Sequence, residues 1–166
     1  MAEEFLRVLL DTNIYGLICE LSDARKTVFQ IAEHSTVCGS RVVRQELRNI
    51  PKKVIRGRAK LRNQALEFYD VLVAEKRNYS VTDFVRVLAL EYNSMYKGSK
   101  SWSELENDFL IVATASIHSI NVVVSNDERT MTSKEAVEAY YFANQKFELK
   151  TPDFIKFEEY KKMVFK

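Results

Sequence analysis

The stretch FLRVLLDTN, residues 5–13, is the key to the fold, because an apolar run stops abruptly there at a carboxylate. Residues 5–10 are mostly apolar without alternation, which is typical of a strand buried on both faces of a parallel sheet. Asp11, Thr12 and Asn13 follow directly. Asp and Asn commonly cap helices by accepting hydrogen bonds from free N–H groups. The alternative is that Asp11 belongs to an acidic site, which only the rest of the sequence can decide.

The composition is that of one soluble globular domain spanning residues 1–166. Hydrophobic residues make up 46% of the chain and charged residues 29%, and the formal net charge is +2. No GxxxxGK or GxGxxG motif supports a phosphate-binding loop. Cys19 and Cys38 form no metal motif and are expected to be buried free thiols. Residues 1–4 are acidic, unlike a signal peptide, and no apolar run reaches the roughly 20 residues of a membrane helix, so we expect a cytoplasmic protein without a membrane partner.

Hydrophobic periodicity predicts strands that alternate with helices along the chain. Strands are predicted at residues 5–10, 36–39, 121–125 and 154–157. Helices are predicted at residues 12–20, 23–34, 40–50, 53–76, 81–97, 104–119 and 133–146, followed by a C-terminal helical turn. Residues 103–106 match a capping box, and residues 109–113 are apolar nearly all round, which indicates a central buried helix. The alternation predicts a three-layer α/β/α sandwich around a short, mostly parallel sheet.

Four acidic residues lie where solvation alone does not explain them: Asp11, Glu46, Asp108 and Asp127. Asp11 and Asp127 each follow an apolar strand, and in parallel sheets the residues that carry chemistry gather at the carboxyl ends of strands. A helical wheel places Glu46 at the edge of the buried face of its helix. Asp108 lies one turn into the helix 104–119 among apolar residues, where an isolated carboxylate is costly to bury.

Each acid has a simpler explanation when it is considered alone. The two acids that follow strands could be helix caps, and Asp108 could be stabilised by the N-terminus of its helix. Glu46 could extend to solvent and pair with Arg44 or Arg48. One explanation covers all of them: carboxylates gathered at one end of the sheet would raise one another's pKa values, and a divalent cation would relieve the repulsion. Oxygen ligands favour Mg²⁺ or Mn²⁺ over Zn²⁺, and no cluster of His or Cys residues competes.

Four segments resemble the signature motifs of a PIN domain of the VapC-like kind, and they occur in that family's order. They are LLDTNIYG, GSRVVRQELRNIP, ENDFLIVATASIHSI and VVVSNDERTM, which together cover most of the chain. The resemblance implies a metal-dependent ribonuclease whose catalytic and metal-binding residues are Asp11, Glu46, Asp108 and Asp127. It also implies that Asn13 supports the first Asp and that Ser125 supplies the hydroxyl that precedes the last.

The resemblance implies partners as well: RNA, a second copy of the chain in a homodimer, and an antitoxin protein if the chain is the toxin of a toxin–antitoxin pair. The chain departs from a minimal toxin in the long helices predicted between Glu46 and Asp108. Two further acids, Glu104 one turn before Asp108 and Glu128 beside Asp127, leave open which carboxylates point inward.

The expected reaction is hydrolysis of RNA phosphodiester bonds. One or two Mg²⁺ or Mn²⁺ ions would polarise the phosphate and lower the pKa of the attacking water. A basic stretch that contains no acid would hold the RNA backbone through a salt-sensitive contribution. Its basic residues are Lys52, Lys53, Arg56, Arg58, Lys60 and Arg62.

Other functions fit parts of the same pattern. The fold could serve as a non-catalytic RNA- or protein-binding module, or as an RNA-processing nuclease without an antitoxin. A phosphatase of the haloacid dehalogenase type also begins with an Asp after a strand. That family would require a second Asp two residues later, where this sequence has Asn13.

Overall fold

A parallel five-stranded sheet forms the centre of the protein. The computed structural model describes residues 5–57 and 59–165. The strands are β1 (Leu6–Leu10), β2 (Ser35–Ser40), β3 (Ile55–Arg56), β4 (Ala59–Lys60), β5 (Asn78–Tyr79), β6 (Val122–Val124) and β7 (Asp153–Ile155). The main sheet has the order β5-β2-β1-β6-β7, and every neighbouring pair in it is parallel. Strands β3 and β4 form a separate antiparallel hairpin.

Helices connect the strands of the main sheet. Those in the described residues are α1 (Thr12–Glu20), α2 (Ala24–His34), α3 (Arg41–Arg48), α4 (Leu61–Leu72), α5 (Asp83–Met95), α6 (Trp102–Ile117), α7 (Lys134–Lys146) and α8 (Phe157–Val164). A short 3₁₀ turn, Glu75–Arg77, leads into β5. None of the helices in the described part of the chain combines the length and apolar character needed to cross a membrane.

The order of the strands explains the layers. The chain moves outward from β1 through β2 to β5, and then returns across the sheet to β6 and β7. Because crossovers between parallel strands are right-handed, this reversal places the connecting helices on opposite faces of the sheet. Helices α1 to α4 pack together as one layer, and α5 to α7 pack together as the other. The predicted α/β/α sandwich is therefore confirmed, and its topology reverses between β1 and β6.

The core is built from the central strands and from α6. Val8 and Leu9 of β1 and Val123 and Val124 of β6 are fully buried, as expected for strands covered on both faces. Phe109 and its apolar neighbours in α6 are also buried, which confirms the prediction of a central buried helix. Burying each side chain of this size contributes about 1.5–3 kcal/mol to the stability of the fold. The two central strands therefore hold the residues that follow them in defined positions.

The predicted helix 53–76 is wrong over its first part. Ile55–Arg56 and Ala59–Lys60 pair as the β3–β4 hairpin instead, and α4 begins only at Leu61. Gly57 turns the hairpin with a φ of 62°, which favours glycine. The apolar stripe that suggested the helix starts at Leu61, and most of the residues before it are charged, while the apolar Ile55 is mostly exposed. Without an apolar face to bury, the basic segment has no reason to continue the helix.

Other boundaries also differ from the predictions. The capping box lies at Ser101 and Glu104, two residues earlier than predicted, and α6 accordingly starts at Trp102. The two-residue strand β5 was not predicted, because so short a segment has no detectable alternation. Cys19 and Cys38 are buried free thiols, as predicted.

Gly39 marks a close approach between β2 and the C-terminal end of α4. A Cβ atom at Gly39 would lie 2.8 Å from Val73 Cγ1 and even closer to the Tyr69 ring. The Tyr69 hydroxyl lies 3.0 Å from the carbonyl oxygen of Ser40, which fastens α4 to the end of β2. Ser40 in turn caps α3, because its hydroxyl oxygen accepts a hydrogen bond from the Val42 N–H at 3.1 Å. The contact between Tyr69 and Ser40 therefore supports α3, the helix that carries Glu46.

We expect Gly39→Ala to lower the free energy of unfolding by about 1–3 kcal/mol, the usual cost of overpacking. Gly16→Ala is the matched control, since a Cβ at this helical position meets nothing within 4 Å. It should be neutral or stabilising by up to about 1 kcal/mol. Urea denaturation followed by circular dichroism measures both variants, and an unchanged midpoint for Gly39→Ala would contradict the close approach.

Candidate active site

The acidic residues selected from the sequence gather at the carboxyl edge of the sheet. Asp11 follows β1 and Asp127 follows β6, and these two strands are neighbours. The Asp11 N–H donates to the Val124 carbonyl oxygen at 2.9 Å, so the β1–β6 ladder continues up to the acid itself. The crossovers from β1 and β6 leave toward opposite faces, which opens a crevice where ligands bind in folds of this kind.

Asp11 is buried and surrounded by hydrogen-bond donors. Its side chain is only 4% exposed. Oδ1 accepts from the Thr12 N–H at 2.8 Å, while Oδ2 accepts from the Ser125 hydroxyl at 2.7 Å and from the Asn13 amide at 3.1 Å. Burial raises the pKa of Asp11 to about 6, although the bonds from Ser125 and Thr12 oppose the shift. The negative charges of Glu46 and Asp127 contribute to the same rise in the pKa of Asp11.

Glu46 points toward the same edge from α3. Its Oε1 accepts from the Thr12 hydroxyl at 2.7 Å, and its Oε2 lies 3.5 Å from the Asn107 amide nitrogen. The sequence had left open a surface pair with Arg44, but Arg44 binds Asp70 through two hydrogen bonds of 2.9 and 3.0 Å. Within residues 5–57 and 59–165, Glu46 forms no ion pair.

A threonine that the sequence analysis did not select bridges the other two acids. The Thr130 hydroxyl contacts Asp108 Oδ2 and lies 2.6 Å from Asp127 Oδ2. Burial raises the pKa of Asp108 to about 7, and the charges of Asp11, Asp127 and Glu46 add to the shift.

Asp127 behaves differently. Burial alone would raise its pKa, but hydrogen bonds from Thr130 and from the backbone N–H groups of Thr130 and Arg129 outweigh burial and hold the pKa below its ordinary value. Asp127 is therefore the carboxylate of this pair that stays ionised most readily.

The two additional acids are directed elsewhere. Glu104 is fully exposed, and its carboxylate accepts from the backbone N–H of Ser101 at 2.8 Å in the capping box. Glu128 forms an ion pair with Lys156. The carboxylate that faces the crevice after β6 is therefore Asp127, as selected, and not its neighbour.

The donor set suits a hard divalent cation in its chemistry, because carboxylates and hydroxyls supply only oxygen. Among the residues that the structure describes, however, no three His, Cys, Asp or Glu side chains lie close enough to form a ready ligand group. Hydroxyls contact the acids instead: Thr12 donates to Glu46, Ser125 donates to Asp11, and Thr130 lies between Asp108 and Asp127.

The basic stretch lies away from the acids. Helix α1 starts beside Asp11 and ends at Glu20, which pairs with Arg56 of the hairpin at 3.3 Å. A nine-residue helix is about 13 Å long, so Arg56 of the hairpin is separated from Asp11 by roughly that distance. Lys52, Lys53 and Lys60 are exposed and Arg62 is partly buried, while Arg58 lies outside the described residues.

Sequence reasoning missed the hydroxyl and amide groups that hold the acids: Thr12, Asn107 and Thr130. Thr12 was visible as part of the quoted motif, but its helical position gives no indication of which acid it contacts. Thr130 follows Asp127 by three residues, a spacing common in turns, so it carried no specific signal.

The raised pKa of Asp108 makes the stability of the metal-free protein depend on pH. The pKa of Asp108 in the folded protein, about 7, exceeds its ordinary value of 3.8. The protonated Asp108 therefore contributes its full share to the free energy of unfolding below pH 3.8, and this share is lost as the pH rises through 7. We expect Asp108→Asn to remove this loss and to stabilise the protein at pH 7.5 by about 1–3 kcal/mol, but to have little effect near pH 4.

Chemical denaturation in a chelating buffer at several pH values measures the effect. Asp23→Asn is the matched control, since Asp23 is exposed and makes no side-chain cap. If Asp108→Asn and Asp23→Asn changed stability equally at pH 7.5, the burial of charge at Asp108 would be refuted.

Three solved structures share this architecture. VapBC2 from Rickettsia felis bound to a DNA fragment from their promoter superposes with a TM-score of 0.57 at 14% identity, covering 91% of this chain and 98% of that one. FitAcB from Neisseria gonorrhoeae gives 0.54 at 21% identity, with 89% and 96% covered. FitAB bound to an IR36 DNA fragment gives 0.56 at 18% identity, with 90% and 94% covered. At these identities the likeness establishes the fold alone.

Comparison by sequence gives a family. Curated proteins yielded no match. The sequence model described as the PIN domain matches residues 8–151, a span that includes Asp11, Glu46, Asp108 and Asp127. The chain therefore belongs to the PIN domain family.

Proposed function

We propose that this protein is a Mg²⁺- or Mn²⁺-dependent endoribonuclease whose cation is held by Asp11, Glu46, Asp108 and Asp127. The proposal is carried by the hydrogen bonds at the carboxyl edge of β1 and β6, where the hydroxyls of Thr12, Ser125 and Thr130 contact all four acids. Asp11 is buried and Asp108 is partly buried there, and burial raises the pKa of both carboxyls. Such a site is costly for the fold unless positive charge enters it, which makes it suited to a divalent cation. PIN domains generally depend on divalent metal ions, and membership of the family supports the same conclusion.

Some residues of the chain would bind the cation, and others would orient the carboxylates that bind it. When bound, the cation would polarise the scissile phosphate and acidify a water molecule. Ser125 and Asn13 both bind Oδ2 of Asp11, and so they fix the rotation of that carboxylate. Thr12 orients Glu46 through Oε1 in the same manner. These neutral donors favour the ionised carboxylates without cancelling their charge.

RNA would contact the basic residues of the hairpin region, Lys52, Lys53, Arg56, Lys60 and Arg62, together with Arg58. The separation of about 13 Å between Arg56 and Asp11 is compatible with a single strand that passes along α1. Contacts of this kind are made to phosphates, so they would contribute affinity and salt sensitivity but not sequence preference.

A toxin–antitoxin role is part of the proposal. The similar solved structures are VapBC2, FitAcB and FitAB assemblies, and two of them were crystallised with DNA. These neighbours support an antitoxin partner for this chain, and the family resemblance adds a homodimer. The alternative, a PIN fold that binds without cleaving, would retain the fold but would not need the buried acids.

We expect the wild-type protein to cleave single-stranded RNA in the presence of Mn²⁺ or Mg²⁺ and to lose activity in a chelator. Asp11→Asn and Asp108→Asn should each reduce cleavage at least about 100-fold, because each removes a negative ligand from the site. Asp23→Asn serves as the matched control, with the same chemical change at an exposed position. The same variants expressed in a bacterial host should show growth arrest only where cleavage persists.

Equal cleavage by wild type and both active-site variants would rule out this site. If the wild type binds RNA but neither takes up Mn²⁺ in calorimetry nor cleaves, the non-catalytic alternative is correct.

The hairpin region yields a separate prediction on RNA binding. We expect the double variant Lys52→Ala/Lys53→Ala to weaken RNA binding and to reduce the slope of log affinity against log salt by about 0.7 for each lost phosphate contact. The control, Lys76→Ala/Lys162→Ala, removes the same charge from exposed positions on other elements. Identical salt slopes for the two double variants would contradict a specific role of the hairpin region.

A further inference from the structure

Thr130 occupies a special position between two of the candidate metal ligands. Its hydroxyl contacts Oδ2 of Asp108 and lies 2.6 Å from Oδ2 of Asp127. Asp108 belongs to α6, whereas Asp127 belongs to the turn that follows β6, so one side chain connects two separate elements of the fold. The resemblance to the PIN family assigned no role to this position.

The turn that carries Thr130 is fixed independently of the acids. The carbonyl oxygen of Asp127 accepts hydrogen bonds from the Thr132 N–H at 3.0 Å and from the Thr132 hydroxyl at 2.7 Å. Met131 is fully buried, and its carbonyl oxygen accepts from the Tyr140 hydroxyl at 2.8 Å. The backbone of Thr130 is thus held on both sides, which fixes the point from which its side chain reaches the two carboxylates.

The two acids differ in how much they depend on Thr130. Oδ1 of Asp127 accepts from the backbone N–H groups of Arg129 and Thr130 at 2.9 and 3.1 Å, so the turn itself orients this carboxylate. For Asp108, the Thr130 hydroxyl is the one hydrogen-bond partner that the described part of the chain provides. The orientation of Asp108 therefore depends on Thr130 far more than that of Asp127 does.

We propose that Thr130 is a positioning residue that sets the separation and orientation of the Asp108 and Asp127 carboxylates for binding of a divalent cation. The inference rests on the proposed function. Partners that orient metal ligands from behind typically account for a factor of 10 to 100 in metal affinity. Thr130 acts in this way through two ligands at once, and it contacts them from a rigid turn.

The test compares Thr130→Val with Thr130→Ser. The first removes the hydroxyl at nearly constant volume, and the second retains it. We expect Thr130→Val to weaken Mn²⁺ binding about 10- to 100-fold in calorimetry and electron paramagnetic resonance without RNA, and Thr130→Ser to restore affinity close to that of the wild type. In RNA cleavage the Mg²⁺ concentration needed for half-maximal rate should rise for the Val variant, while KM for RNA stays unchanged.

Thr132→Val is the matched control, because it removes a threonine hydroxyl from the same turn that contacts a backbone carbonyl and neither carboxylate. Because this hydroxyl also holds the turn, Mn²⁺ affinity in Thr132→Val should fall much less than in Thr130→Val. Thr130→Ala is the second variant, to be used if a methyl group between the carboxylates disturbs folding. Thermal unfolding in chelator establishes that each variant is folded before binding is measured.

The outcomes separate the two proposals. If the wild type binds Mn²⁺ and the Val and Ala variants bind it equally well or more tightly, the positioning role is overturned and the proposed function stands. Loss of affinity in Thr132→Val equal to that in Thr130→Val would also overturn it, since the turn as a whole would then be responsible. If the wild type itself binds no Mn²⁺, the proposed function fails and the role of Thr130 fails with it.

Discussion

Negative charge is concentrated beside the two central strands, and the pairing of β1 with β6 keeps it there. The Asp11 N–H continues the hydrogen-bond ladder to Val124, so the acid cannot move away from the sheet edge without breaking the pairing of β1 with β6. Burial and mutual repulsion then raise the pKa values of Asp11 and Asp108. This electrostatic cost is tolerated because the apolar residues of β1 and β6, which precede Asp11 and Asp127, are buried and fix the positions of the two strands.

The hydroxyl groups around the acids offset part of that cost. Thr12 belongs to α1, whereas Ser125 and Thr130 lie in the segment between β6 and α7, and each hydroxyl contacts a carboxylate oxygen. A hydroxyl carries one hydrogen, so it can orient a carboxylate and stabilise its ionised form, but it brings no positive charge. Within the described residues no Lys or Arg forms an ion pair with any of the four acids. The divalent cation of the proposed function would supply the positive charge that these residues do not provide.

The sequence was sufficient for the architecture and it drew attention to four acids at the carboxyl edge of the sheet, but it did not reveal the contacts around them. β1 and α6 were predictable because burial on all sides leaves uninterrupted apolar runs, which are visible in one dimension. The β3–β4 hairpin was mistaken for helix because its charged residues have no apolar period, so the pattern that begins at Leu61 was extended backward over them. Thr130 could not be identified, since its role arises from the packing of α6 against a turn 22 residues away in sequence.

The two explanations first offered for Asp11, a helix cap and a member of an acidic site, do not compete. A carboxylate has two oxygens, and here Oδ1 accepts from the first N–H of α1 while Oδ2 is held by Ser125 and Asn13. The cap orients the side chain, and its burial beside Glu46 and Asp127 raises its pKa. Asp108 does not cap a helix, because α6 is already capped at Ser101 and Glu104. A change at Asp11 therefore alters both the start of α1 and the charge of the crevice, whereas a change at Asp108 alters mainly the charge, which makes Asp108 the more informative of the two acids.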